Sequence, residues 1–110
     1  MTRGSCELLR RLAGAFRASG QRVLFEANRE SEPQSVMYGV CTVRLILGPG
    51  PGGLNIPVAR GMATDMETAC ARALEDYFGN CRVFGRHYGG LAASSAEELE
   101  LRLAVTEGAG

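Results

Sequence analysis

Near the start of the chain Leu8, Leu9, Leu12, Ala15 and Phe16 recur at the spacing that lines one side of an α-helix. Ser5 is placed to cap that helix, Glu7 falls in its positive first turn, and Gly20 supplies a stop. The pattern then changes period. Val23, Phe25 and Ala27 alternate with Leu24 and Glu26, which predicts a short strand over 22–28, and the polar run 29–35 reads as a turn-forming loop. Residues 36–47 are rich in β-branched and aromatic side chains and predict the longest strand. It carries Cys41, Val43, Leu45 and Leu47 on a core face, Thr42 and Arg44 on a solvated one, and Gly39 at a bulge. After a Gly-Pro loop at 48–53, Leu54, Ile56 and Val58 form a third strand. Pro57 lacks an amide donor, which places that strand at a sheet edge or a bulge.

A second helix follows. Thr64 and Glu67 have capping-box spacing, and Met66, Ala69, Cys70, Ala73, Leu74, Tyr77 and Phe78 keep one continuous apolar face before Gly79 and Asn80. Residues 81–88 read as a strand and Gly89-Gly90 as a turn. In 98–105, Leu99, Leu101, Leu103 and Val105 alternate strictly with Glu98, Glu100 and Arg102, a strand period. Ser94 with Glu97 and the run of helix-forming residues keep a helix open there. The predicted fold is α+β: an α-β-β-β-α core over 1–80, with a three-stranded antiparallel sheet on two helices, and a C-terminal extension over 81–110. Leu9, Leu12, Phe16, Phe25, Val43, Leu45, Ile56, Val58, Ala69, Ala73 and Leu74 are the expected core.

Composition sharpens this picture in three ways. With 110 residues, 45% of them apolar, the chain fills one core. No apolar run is long enough to cross a membrane, and Glu7, Arg10 and Arg11 interrupt any leader-like stretch, so a cytoplasmic or nuclear address is expected. The cysteines at 6, 41, 70 and 81 form no Cys-x-x-Cys pair, so they read as small buried hydrophobes, with no metal or other cofactor implied. Net charge is zero, but every basic residue is an arginine, the side chain best suited to forked contacts with phosphate or carboxylate. Arginines dominate 1–61, and acids dominate 62–110.

The order helix, three strands, helix within 5–78 resembles the double-stranded RNA-binding domain. "CELLRRLAGAFRASGQRVLFEANRESEPQ" is similar to that family's first helix, first strand and exposed loop, and "VMYGVCTVRLIL" to its second strand. "ARGMATDMETACARALEDYF" is similar to its last helix. The resemblance implies shape-based contact with an RNA duplex, without catalysis. Three contact regions depart from the family. Met62-Ala-Thr-Asp-Met66 stands where the family has a phosphate-gripping lysine cluster, and Asp65 and Glu67 bring negative charge there. Arg11 stands at the place of a glutamate that faces the minor groove, and Gln34 or Ser35 replaces a loop histidine. The RNA-binding candidates are therefore Arg10, Arg11 and Arg17 on the first helix, Arg29 and Gln34 at the loop, and Arg60 below the second helix.

Other chemistry finds less support in the spacing. His87 lies near Cys81 without an orienting third group, and the Gly-Pro loop lacks the ending and following helix of a phosphate cradle. Asp65 with Glu67, and Glu75 with Asp76, are explained by the helix dipole and by an exposed helix face. No enzyme is expected. The leading expectation is binding of duplex RNA through the first helix and the 29–35 loop; the alternative is a protein–protein, dimerisation or inhibitor module on the same scaffold. In the second reading segment 81–110 is the interface.

Overall fold

The computed structural model describes residues 4–108. Positions 1–3 and 109–110, the outer ends of the two predicted ranges, lie outside the described residues. The element order is α1 (Ser5–Ala18), β1 (Val23–Arg29), β2 (Cys41–Leu47), β3 (Ile56–Ala63), α2 (Met66–Phe84) and α3 (Ala96–Gly108). The three strands form one antiparallel sheet in the order β1-β2-β3. The predicted α+β class holds.

One face of the sheet carries Cys41, Val43, Leu45 and Leu47, all buried beneath α1 and α2. The opposite face carries Leu24 and Glu26 of β1, Thr42, Arg44 and Ile46 of β2, and Arg60 and Met62 of β3, as the register requires. The register shifts at Leu45/Ile46, opposite Ala59 and Pro57, so the proline sits at an irregularity of an edge strand. Nine of the eleven expected core residues are buried. Phe25 is half-buried, and Ile56 is 51% exposed because it pairs with the last residue of β2, at the rim of the sheet.

α2 is bound to β3 more closely than ordinary helix-on-sheet packing allows. A Cβ at Gly61 would lie 2.2 Å from the carbonyl oxygen of Ala69 and 2.5 Å from the amide of Ala73, so only glycine fits. Along the same seam three α2 side chains, one turn apart, meet the outer edge of β3. Arg72 Nη1 donates to the Met62 carbonyl (2.7 Å), and Asn80 Nδ2 donates to the Val58 carbonyl (3.0 Å). Between them the Arg60 amide donates to Asp76 Oδ2 (2.9 Å). Acceptor, donor and acceptor are satisfied in turn, as a fourth strand would satisfy them.

Several predicted boundaries move, each for a local reason. The strand predicted over 36–47 begins only at Cys41. Residues 36–39 are turns, in which the amides of Tyr38 and Met37 bond back to Ser35 and that of Gly39 bonds to Glu30. Gly39 has φ of +80°, a turn conformation rather than a bulge. The helix caps also differ. Gly4, with no side-chain bond, precedes α1, and the Cys6 amide instead donates to Glu67 Oε1 (3.1 Å). Asp65, not Thr64, caps α2, its carboxylate accepting from the Thr68 amide at 2.9 Å. α2 runs through Gly79 and Asn80, because Asn80 is used on β3, and it continues to Phe84.

The predicted strand over 81–88 is therefore the end of α2 and a 3-10 segment, Gly85–Leu91. Tyr77 pins that segment. Its ring stacks on Tyr88 at 5.5 Å and meets Phe16 edge-on at 6.3 Å, and its hydroxyl donates to the Leu91 carbonyl at 2.7 Å. The strand favoured over 98–105 is α3. Leu99 and Leu103, one turn apart, are fully buried in the shared core, while Leu101 and Val105 point outward at 70% and 74% exposure. The two-residue period arose from two aliphatic stripes on opposite sides of one helix.

Gly61→Ala is expected to cost about 3 kcal/mol, because backbone rather than a movable side chain must give way. Urea unfolding of the variant, with Gly79→Ala as a helix control that meets nothing within 4 Å, measures it.

Candidate nucleic-acid interface

α1 places its arginines around one cylinder, and their surroundings separate them. Arg10 and Arg17 are exposed, with no ion-pair partner among the described residues. Arg11, one position on from Arg10, is turned toward α3 and is only 14% exposed. Its Nε and Nη2 hold both oxygens of Glu107 at 2.9 and 2.7 Å, and its Nη1 meets Glu100 Oε1 at 2.5 Å. This is the forked geometry that arginine offers a phosphate, taken up by carboxylates of the same chain. The bond to Glu107 holds the Arg11 guanidinium well above its ordinary range; burial opposes it, and the charges of Glu100 and Glu107 add to the rise.

α3 is fixed in that position by local chemistry. Ser95 Oγ accepts from the Glu98 amide, Ser94 Oγ donates to Glu98 Oε2 at 2.9 Å, and Leu99 and Leu103 anchor the inner face. Glu97, Glu98, Glu100 and Glu107 make the helix acidic, with Arg102 as its one arginine. An acidic helix therefore lies against the basic first helix.

The other predicted residues do not converge on one surface. Arg29 ends β1 and reaches the turn at Gly39, and Gln34 is exposed in the loop that follows. Arg60 lies on the open face of the sheet, across from Arg44 in register. There Thr42, Arg44, Arg60, Gly61 and Met62 line a shallow cleft of about 390 Å³. Arg44 pairs with Glu26 across the strands. Arg10, Arg17, Arg29 and Gln34 belong to α1 and the loop region, while Arg60 is on the side of the sheet away from α1.

The start of α2 is negative as well as occupied. The Asp65 carboxyl is held below the ordinary range, chiefly by the Thr68 amide and then its hydroxyl. Glu67 accepts from the Cys6 amide in the first turn of α1. A phosphate approaching this helix end meets two carboxylates already using nearby donors.

Two groups of residues escaped the sequence reading. Arg72, Asp76 and Asn80 recur at four-residue spacing, a signal present in the sequence, but the pattern alone assigns Asp76 to an exposed face. Glu100 and Glu107 became visible only once 96–108 was a helix. All four cysteines are free. Cys41 and Cys70 are buried and Cys6 and Cys81 half-buried, and burial raises the thiols of Cys6 and Cys70. His87 is exposed. Among the described residues no set of histidine, cysteine and carboxylate side chains is arranged to hold a metal, and no helix is long and apolar enough to cross a membrane. No protein-family model matches the chain, and no curated protein or solved structure gives a significant match.

Arg11→Ala is expected to destabilise the fold by about 1–2 kcal/mol, since the fork is largely shielded while its glutamates stay partly in water. The double variant Glu100→Gln with Glu107→Gln should lose less. Urea denaturation of each variant and of all three changes together checks this, and losses that simply add would contradict the ionic account.

Proposed function

We propose that this chain is a non-catalytic protein-interaction module, built on an α-β-β-β-α scaffold that resembles the double-stranded RNA-binding domain. One observation carries the choice of partner class. Arg11, one of the three arginines on α1, is spent on Glu100 and Glu107 of α3. The carboxylates of Asp65 and Glu67 at the start of α2 support the same reading. Surface chemistry suited to proteins is spread over the remainder. Val36, Met37 and Tyr38 stand exposed at the β1–β2 loop, Leu24 and Met62 on the open sheet face, and Leu101 and Val105 on the outside of α3. Of the C-terminal segment, Leu99 and Leu103 are consumed by the core, which leaves the outward pair for a partner.

Duplex RNA is the second reading, and a specific observation favours it. Arg10 and Arg17 are exposed on α1 without ion-pair partners among the described residues, and Arg29 and Gln34 are exposed toward the loop. Fluorescence anisotropy with a labelled RNA duplex of about 20 base pairs, longer than the ~16 such a domain spans, separates the two. The protein-interaction reading expects no salt-sensitive association even at low salt. Micromolar binding that weakens with salt, and that is lost in the Arg10→Ala, Arg17→Ala double variant, would establish the RNA reading instead.

A further inference from the structure

A strand at the edge of a sheet presents unpaired amides and carbonyls, which proteins cover with helices or blunt with prolines and bulges. β3 is covered: Arg72, Asp76 and Asn80 of α2 bond to its outer edge. β1, the opposite edge, has none of these devices among the described residues. It holds no proline, and its register with β2 is unbroken from Val23↔Leu47 to Arg29↔Cys41. The groups it presents follow from the bonds at its two ends. Glu30 donates its amide to the Val40 carbonyl, and Arg22 accepts at its carbonyl from the Gly48 amide. Antiparallel ladders alternate, so the even-numbered residues of β1 face β2. Val23, Phe25, Ala27 and Arg29 then turn their backbone groups outward, and among the described residues nothing bonds to them.

We propose that this edge pairs with the same edge of a second copy of the chain, antiparallel, about a two-fold axis through Glu26. The proposal rests on the protein-interaction reading and names the partner. This register is the one that pairs the whole of β1. Val23 meets Arg29 of the second copy and Phe25 meets Ala27, so each outward amide and carbonyl finds its counterpart. It also matches charge. Arg22, exposed and without an ion pair of its own among the described residues, comes opposite Glu30 of the second copy, and the two-fold repeats the pair. Leu24 falls opposite Asn28. The two Glu26 side chains meet on the axis, each already neutralised by its own Arg44. The half-buried Phe25 gains cover from Ala27 of the second copy. Such an edge-to-edge contact is small, which sets the expected affinity in the micromolar range.

Sedimentation equilibrium over about 1 to about 500 µM reads the monomer–dimer balance in that range. The intact chain is expected to dimerise. Arg22→Glu, at an exposed position, and Glu30→Arg, which also gives up the bond that Glu30 accepts from the Glu32 amide, should each raise the dimer dissociation constant by about tenfold, since each turns two opposite-charge pairs into like-charge pairs. Mixing the two variants should restore association, because the introduced glutamate then faces the introduced arginine at one end, and the unchanged Glu30 faces the unchanged Arg22 at the other. Circular dichroism of each variant checks that the fold is kept. A monomer at every concentration overturns the proposal. So does a dimer indifferent to both charge reversals, or a mixture no tighter than its components; the contact would then lie elsewhere, as on the outer stripe of α3. Each of these three outcomes leaves the protein-interaction reading standing if duplex RNA also fails to bind, whereas RNA binding removes that reading independently.

Discussion

The seam between α2 and β3 organises the molecule. Gly61 allows the helix backbone to come so near the strand that the side chains of Arg72, Asp76 and Asn80 reach the strand's outer edge. A single helix thereby buries the core face of the sheet and satisfies the polar edge beside it. Both demands come from one constraint: polar backbone groups removed from water must be paired. With that edge closed, the sheet is left asymmetric, and β1 is the side on which it remains open. The same helix extends to hold Tyr77 against Phe16 and Tyr88, which carries the chain across to α3.

The second organising contact is ionic. α3 is acidic where α1 is basic, and Arg11 joins them through Glu100 and Glu107. The consequence for function is subtraction. An arginine fork bound to carboxylates within the fold must give up those bonds before it can hold a phosphate, while Arg10 and Arg17 stay exposed to solvent. The uneven charge along the sequence is thus cancelled in space, within one domain, as well as in the total.

Much of the core was readable from periodicity. The first-helix stripe, the alternation of Cys41, Val43, Leu45 and Leu47, and the apolar face of α2 all point inward as their spacing requires. The misreadings share a cause: local patterns that two structures satisfy. Leu99, Leu101, Leu103 and Val105 alternate as a strand would, yet they are also two helical stripes, and packing against α1 chose the helix. Val36 and Tyr38 have strand-like side chains, but Ser35 and Gly39 turn the backbone first. Gly79-Asn80 reads as a stop until β3 supplies a use for Asn80. For the candidate site, residue type and helix position were legible. Arg11's partners lie 89 and 96 positions away, beyond any local pattern.

One sheet edge is closed by α2, and the other presents its outward amides and carbonyls to a partner strand. Amide hydrogen exchange, followed residue by residue by NMR at several protein concentrations, tests it most directly. The account predicts that the Arg60 amide, bound to Asp76, is protected at every concentration. The Phe25 and Ala27 amides should exchange freely in dilute solution and slow as concentration rises. Fast exchange at Arg60, or concentration-independent protection at Phe25 and Ala27, would contradict it.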